Sequence, residues 1–301
     1  MLYATWLQLA IFVPHLLGIL VLGLAICVPA AGQEAPYFVT YDHHLEEPGN
    51  LEIESSTTIG IPRKNQHFYF APYGEIEYGV LGRLTSELYL EAQATAADSA
   101  VFTGWRLENR FRPLRREHRV NPVLYLEYEN LNEASRIQKE IVGTATDWNE
   151  PNSEASQTRA HELEAKLILS SDVRDWNVAG NFIVEKNVSA EEGLEFGYAA
   201  GVSRPLSTIA SGKDCRLCRE NFALGAEIYG GLGSTAGFGF HDTAQYLAPV
   251  VRWQLGDNSS LRFSPAFGLT HGSNAVLLRF GYSYEVRGFG SKLASMFRGG
   301  R

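Results

Sequence analysis

From about residue 50 to residue 287 the sequence alternates apolar and polar residues with a period of two, in segments of roughly ten residues. Leu84, Ser86, Leu88, Leu90 and Ala92 share one face of such a segment, and Thr85, Glu87, Tyr89, Glu91 and Gln93 share the other. Trp105, Leu107 and Phe111 oppose Arg106, Glu108, Arg110 and Arg112. Leu163, Ala165, Leu167 and Leu169 oppose Glu162, Glu164 and Lys166. Near the C-terminus Val276, Leu278, Phe280, Tyr282, Tyr284 and Val286 oppose Arg279, Ser283, Glu285 and Arg287. One such strand is ordinary in a soluble sheet that rests one face on a core. Here the pattern has no helical period between segments and no domain boundary. Segments of this length fit tilted membrane-crossing strands.

Twelve segments can be counted: 50–60, 67–79, 83–93, 102–112, 120–130, 159–170, 175–186, 193–204, 221–231, 244–255, 259–269 and 276–287. An even number is what single-chain bacterial membrane barrels require. Counted from a periplasmic start, the even connections face the periplasm, and most are short, such as Val80-Leu81-Gly82 and Gly256-Asp257-Asn258. The longest connection, 131–158, falls on the outer side. The eighth, 205–220, is long for a periplasmic turn and leaves room for an extra hairpin or a small plug. The pattern predicts an all-β, up-and-down antiparallel transmembrane β-barrel of about twelve strands. One hairpin can be written with register: Leu255 opposite Ser259, Trp253 opposite Leu261, Val251 opposite Phe263, Pro249 opposite Pro265, and Leu247 opposite Phe267. Two facing prolines cannot donate to a ladder, so a bulged or bent seam is expected there.

Composition agrees with many strands: 29 Gly, 14 Tyr, 16 Phe, and among 26 basic residues 20 Arg to 6 Lys. A net charge of −8 argues against a general nucleic-acid binder. Only one stretch is apolar enough to span a bilayer as a helix. It runs through Leu2 to Ala31 without Asp, Glu, Lys or Arg and ends Val28-Pro29-Ala30-Ala31-Gly32-Gln33. Small residues after a helix-breaking proline are the arrangement of a secretory signal cleaved after Ala30 or Gly32. The rival reading is an uncleaved anchor. Cys27 after Leu24-Ala25-Ile26 is a weak lipoprotein box, because Ile26 is bulky. The expected organisation is a signal peptide over 1–32, an N-terminal periplasmic segment over 33–48, the barrel over 49–289 and a tail over 290–301.

The run Pro72-Tyr73-Gly74-Glu75-Ile76-Glu77-Tyr78-Gly79-Val80, followed by Leu84-Thr85-Ser86-Glu87-Leu88-Tyr89-Leu90, resembles the bacterial outer-membrane barrels grouped as phenol-degradation meta-pathway transporters. Glu47-Pro48-Gly49-Asn50-Leu51-Glu52-Ile53-Glu54 and Phe102-Thr103-Gly104-Trp105-Arg106-Leu107-Glu108-Asn109-Arg110-Phe111 are similar in style. The resemblance covers about 45–289 and consists of barrel grammar rather than catalytic signatures. It implies an outer-membrane location and passage of small molecules, without implying phenol as substrate.

Five local motifs compete with bland alternatives. Cys215-Arg216-Leu217-Cys218 lacks the His of a haem-attachment motif and a second ligand pair for zinc. In an oxidising compartment it reads as a local disulfide bracing the eighth connection. His271-Gly272-Ser273-Asn274 resembles the His-x-Ser-Asn signature of outer-membrane lipid A deacylases and phospholipases, which implies His271 as base and Ser273 as nucleophile. Glu285, the tempting orienting acid, sits about 30 Å down the barrel at strand rise. A hairpin turn is the competing reading. Asp42-His43-His44 reads as part of a solvated N-terminal segment rather than a metal site. Gly230-Gly231-Leu232-Gly233 reads as a flexible hairpin tip, and the basic run from Arg112 to Arg119 as a solvated periplasmic turn.

The inward faces carry most of the functional information. By phase they hold Glu52, Glu54, Glu75, Glu77, Glu87, Glu91, Glu108, Glu127, Glu129, Glu162, Glu164, Glu185, Glu195, Glu227 and Glu285. With them go Arg106, Arg110, Arg112, Lys166, Arg252, Arg262, Arg279 and Arg287. Fifteen acids and eight bases cannot stay unpaired in dry protein, so the lumen holds water, carboxylate–guanidinium pairs, or both. The candidate pore-lining residues are Glu75, Glu77, Glu87, Glu91, Arg106, Glu108, Arg110, Arg112, Glu127, Glu162, Glu164 and Arg279. The expected function is an outer-membrane channel or transporter-like barrel for small solutes, cation-preferring if open, without enzyme chemistry or cofactor. The alternatives are a lipid-modifying hydrolase using His271 and Ser273, and a non-conducting structural or surface-interaction barrel. Expected partners are outer-membrane lipid, small solutes and the barrel-insertion machinery during biogenesis, with no nucleic acid.

Overall fold

Every predicted segment forms a strand, and their edges meet. The computed structural model describes residues 36–63, 67–137, 150–209, 215–240 and 243–298. The proposed signal segment and Cys27 lie outside them. The strands are β1 (Leu51–Ile61), β2 (Tyr69–Leu81), β3 (Leu84–Thr95), β4 (Ala100–Phe111), β5 (Asn121–Asn132), β6 (Arg159–Val173), β7 (Trp176–Asn187), β8 (Glu195–Pro205), β9 (Phe222–Ser234), β10 (Gly237–Phe238), β11 (Gln245–Gln254), β12 (Ser259–Gly268) and β13 (Val276–Val286). β10 only extends the β9 tip, through Gly237 opposite Ser234 and Phe238 opposite Gly233. The other twelve pair antiparallel in sequence order, and β13 pairs with β1, so the sheet closes into a barrel without edges.

The β11–β12 hairpin has the expected register, with Trp253 opposite Leu261, Val251 opposite Phe263 and Leu247 opposite Phe267. Its ladder runs on both sides of Pro249 and Pro265 but not across them, because neither ring nitrogen has a proton to give. No register shift accompanies the gap. Bulges occur elsewhere, between Glu91 and Ala92 against β4, and between Phe196 and Gly197 against β9. The second corrects the expectation for Gly230-Gly231-Leu232-Gly233. These residues belong to β9, and the hairpin turns beyond Ser234. Gly233 sits at φ +83°, where an added Cβ would lie 2.2 Å from the Gly237 carbonyl oxygen. The glycines serve a bulge and close backbone approach rather than a mobile tip.

Side-chain phase divides the barrel cleanly. Thr85, Glu87, Tyr89, Glu91 and Gln93 of β3 are buried inside, while Leu88 and Leu90 face out. The outward row continues through Leu107, Leu124, Leu126, Leu163, Leu167, Phe182, Leu224, Ile228, Leu247, Phe267 and Phe280, all exposed. A large apolar belt around a polar interior inverts the usual soluble arrangement. It is the architecture of a bacterial outer-membrane barrel. Among the described residues, no helix is long and apolar enough to cross a membrane. Replacing Leu126, 57% exposed in the belt, with Arg should destabilise the folded barrel by about 2–4 kcal/mol if it sits near the bilayer midplane. Urea titration in lipid vesicles reads the difference.

β1 begins and β13 ends at one rim, here called the terminal rim. The two-residue β2–β3 and β6–β7 turns are at this rim, while the β5–β6 connection is at the far rim. Short turns on one side and the longest loop on the other match periplasmic and external sides. The eighth connection forms no extra hairpin among its described residues. It carries a 3-10 turn, Arg219–Asn221, next to the Cys215–Cys218 disulfide. After β13 the chain turns at Gly288, at φ +61°, into a helix over Phe289–Arg298.

Candidate functional site

The lumen is filled from both ends. The N-terminal residues ahead of β1 do not lie free in solvent. Tyr37, Val39, Thr40, Asp42 and His43 are buried within the barrel. This corrects the reading of Asp42-His43-His44 as part of a solvated segment. The physical reason is the composition of Tyr37-Phe38-Val39-Thr40-Tyr41, an apolar and β-branched run whose backbone finds acceptors on the inner wall. The Phe38, Val39 and Thr40 amides donate to the Glu227 carboxylate at 2.9, 2.9 and 2.7 Å. The Tyr41 amide donates to Asn181 Oδ1 at 2.7 Å, and Asn181 Nδ2 donates to the Tyr41 carbonyl at 2.8 Å. Arg262 donates to the Tyr37 carbonyl at 2.7 Å. An extended segment buried in a lumen must find such partners, since each unpaired backbone group is costly.

From the far rim, Ala134, Ser135, Arg136 and Ile137 of the β5–β6 connection are also buried. The Arg136 amide donates to Gln93 Oε1 at 3.0 Å. Ile137 joins Val39, Tyr69, Tyr229, Tyr246 and Leu277 in one apolar cluster. The two inserts therefore share an apolar core inside the barrel. No alternating segment announces either of them, which is why the sequence reading missed both.

The charged wall beside the N-terminal plug is knitted. Arg106 pairs with Glu91 at 2.6 Å and Glu127 at 2.7 Å, and its guanidinium lies 4.0 Å from the Tyr89 ring centroid. Arg110 pairs with Glu77 at 2.6 Å, with Glu108 at 3.2 Å, and with Glu87. Lys166 pairs with Glu164 at 2.8 Å and lies 4.0 Å from the centre of the Tyr125 ring. Tyr41 of the plug joins the network by donating to Glu108 Oε2 at 2.9 Å. Buried charge is tolerable here because it is paired and hydrogen-bonded. Glu75, Glu77, Glu87, Glu91, Arg106, Glu108, Arg110, Glu127, Glu164 and Arg279 are thus all buried in the interior. Glu162 is half-buried near the far rim. Arg112 lies just past β4 at the terminal rim, where it reaches the Gly82 carbonyl at 3.4 Å.

A cavity of roughly 460 Å³ runs along residues 37–47, lined by β1, β2 and β11–β13 and also by Glu87, Tyr89, Arg106, Arg110 and Lys166 of the knitted wall. Glu52, Glu54 and Glu75 line it together with Arg252, Arg262 and Arg279. Arg262 and Glu54 form an ion pair on its wall. Below the plug, Asp42 and His44 meet at 2.9 Å near the β6–β7 turn. The Asp42 bond pushes the His44 pKa up to about 9.

Ser273 is held by hydrogen bonds within its own turn and to β11. Ser273 Oγ accepts from the Gln245 amide at 2.8 Å, lies 2.8 Å from the Gln245 carbonyl oxygen, and lies 2.8 Å from Thr270 Oγ1. His271 is exposed, and Glu285 pairs with Arg287 at 3.0 Å at the terminal rim. The serine fixes a turn.

No protein-family model matches the sequence, and no curated protein matches it. Several solved structures are similar to the chain over most of their length. The KdgM porin aligns with a TM-score of 0.48 at 7% identity, over 78% of this chain and 98% of that chain. An outer membrane channel from Pseudomonas putida F1 aligns with a TM-score of 0.46 at 12% identity, over 81% and 97%. The NanC porin aligns with a TM-score of 0.45 at 9% identity, over 78% and 100%.

Proposed function

We propose that this barrel is a small-solute channel of the outer membrane whose resting lumen is closed by its own N-terminal segment. The observation that carries this reading is the acid-rich interior with a plug seated beside a polar cavity. A purely structural barrel gains nothing from excess inward carboxylates, which cost desolvation energy wherever water is excluded. A conducting lumen keeps them hydrated and uses their field. The inward faces carry fifteen acids to eight bases, so the open path favours cations. Glu52, Glu54 and Glu75 line the cavity together with Arg252, Arg262 and Arg279, so a passing solute meets both signs of charge on a net negative wall. Outer-membrane lipid contacts the apolar belt, and the insertion machinery delivers the barrel to it.

Reversal potentials under a salt gradient test this reading in planar bilayers. The sign expected of the open barrel is that of cation selectivity. Anion selectivity defeats the charge argument. A barrel that stays non-conducting after its plug is removed is a structural one.

A further inference from the structure

The foot of the plug meets the β6–β7 turn in a cluster of histidine and aspartate side chains. We propose that His43, His44 and Asp172 form a binding site for a borderline divalent transition ion of the zinc class. Their ligand atoms all lie within 4.8 Å of one another. His44 Nε2 is 3.3 Å and His43 Nε2 is 3.7 Å from Asp172 Oδ2. Ligands about 2.0–2.2 Å from a tetrahedral ion are about 3.3–3.6 Å apart, so only small side-chain adjustments are needed.

The second observation is His43 itself. Its ring is fully buried, and its Nε2 has no hydrogen-bond partner. An unsatisfied ring nitrogen in such a place is costly unless something binds it. The Nδ1 of the same ring is 2.6 Å from Ser170 Oγ. Donation from Nδ1 to that oxygen leaves the Nε2 lone pair turned toward Asp172. His44 is oriented the same way, with Nδ1 held 2.9 Å from Asp42 Oδ2. Histidine ligands ordinarily have their second nitrogen fixed by an oxygen in this manner.

The orienting groups are anchored in turn. Asp42 accepts from the His44 amide at 2.9 Å and from Asn177 Nδ2 at 3.0 Å. Asn177 Nδ2 also reaches Asp172 Oδ1 at 2.7 Å, which leaves Asp172 Oδ2 for the ion. The His44 and Asp172 side chains are 41% and 40% exposed, so the fourth position is open to water. Two imidazoles select zinc, copper or nickel over calcium and magnesium, which require oxygen cages. Since both histidines belong to the plug and Asp172 to the wall, the ion ties the two together. The site goes beyond the channel reading, because ion binding needs no conductance.

Isothermal titration of the tag-free, chelator-treated full barrel in detergent with zinc chloride tests it. One ion per barrel is expected, with affinity lowered at least about tenfold in His44→Gln and in Asp172→Asn, and about 10–100-fold in the positioning variant Asp42→Asn. His271→Ala, at an exposed far-rim position, should bind as wild type. Heat-modifiable gel migration confirms that each variant is folded. Cobalt chloride provides a second readout, as the visible absorption of a tetrahedral site that His44→Gln abolishes. No zinc binding to the folded wild type overturns the proposal. So does unchanged binding in both ligand variants, which would assign the ion to surface histidines such as His67 and His118. Magnesium binding as tight as zinc overturns it too.

Discussion

Replacing Glu227 with Ala is expected to turn a mostly closed barrel into a conducting one. That carboxylate receives three successive plug amides, from Phe38, Val39 and Thr40. Hydrogen bonds to a charged group contribute about 1.5–3 kcal/mol each, and three removed together cannot all be replaced by water in a crowded lumen. A loss of about 3–5 kcal/mol in plug seating corresponds to an increase of roughly two to four orders of magnitude in the unseated fraction. Open probability in planar bilayers is the readout. Deleting residues 36–46 should give the same conductance, since both changes empty the same space. Conductance identical in wild type and both variants would remove the plug from the mechanism. Strand pairing is independent of Glu227, so the variant should keep heat-modifiable migration.

The strands were legible because their signal is local. A period of two shows in five consecutive residues, and the alternation of Glu87, Tyr89 and Glu91 with Leu88 and Leu90 decides which face meets lipid without knowledge of any other strand. The β11–β12 register followed from a short turn and matching phase. The plug was not legible in the same way. Its partners Glu227, Asn181 and Glu108 lie far along the chain, and nothing in Phe38-Val39-Thr40 specifies a carboxylate on the ninth strand. Its one local signal, a tyrosine-bounded apolar run before the first strand, argues against a solvated tail only after the lumen is known to need filling. The cluster of His43 and His44 with Asp172 was not legible for the same reason, since Asp172 comes from another hairpin. Gly230-Gly231-Leu232-Gly233 misled because glycines serve a bulge and a loop equally well. Register with β8 distinguishes them, and register is not local.

The ion pairs of the inner wall were legible in kind but not in partner, and their partners set the outcome of mutating them. Changing Glu75, Glu77 and Glu87 together to Gln reduces cation preference if the three carboxylates line open water, and destabilises the barrel if they are paired. Two of the three are paired: Glu77 is 2.6 Å from Arg110, and Glu87 contacts the same guanidinium. The triple change should therefore destabilise the folded barrel, because it leaves Arg110 buried with only Glu108 at 3.2 Å as a charged partner among these contacts. The complementary change, Arg110→Met, should cost more than the triple. It strands Glu77, Glu87 and Glu108 together on the inner wall, where like charges repel and burial removes their hydration. Breaking a buried pair from one side typically costs about 3–5 kcal/mol. Urea unfolding of the barrel in lipid vesicles reads both effects. Combining Arg110→Met with Glu77→Gln and Glu87→Gln should recover part of the loss, because the remaining groups are then nearly neutral and Glu108 keeps its bond from Tyr41. Strict additivity of the three changes would mean that the groups act separately and that water, not Arg110, compensates the wall. Non-additivity of 0.5–3 kcal/mol is the result expected of groups sharing one buried guanidinium, estimated as roughly the range for contacting residues.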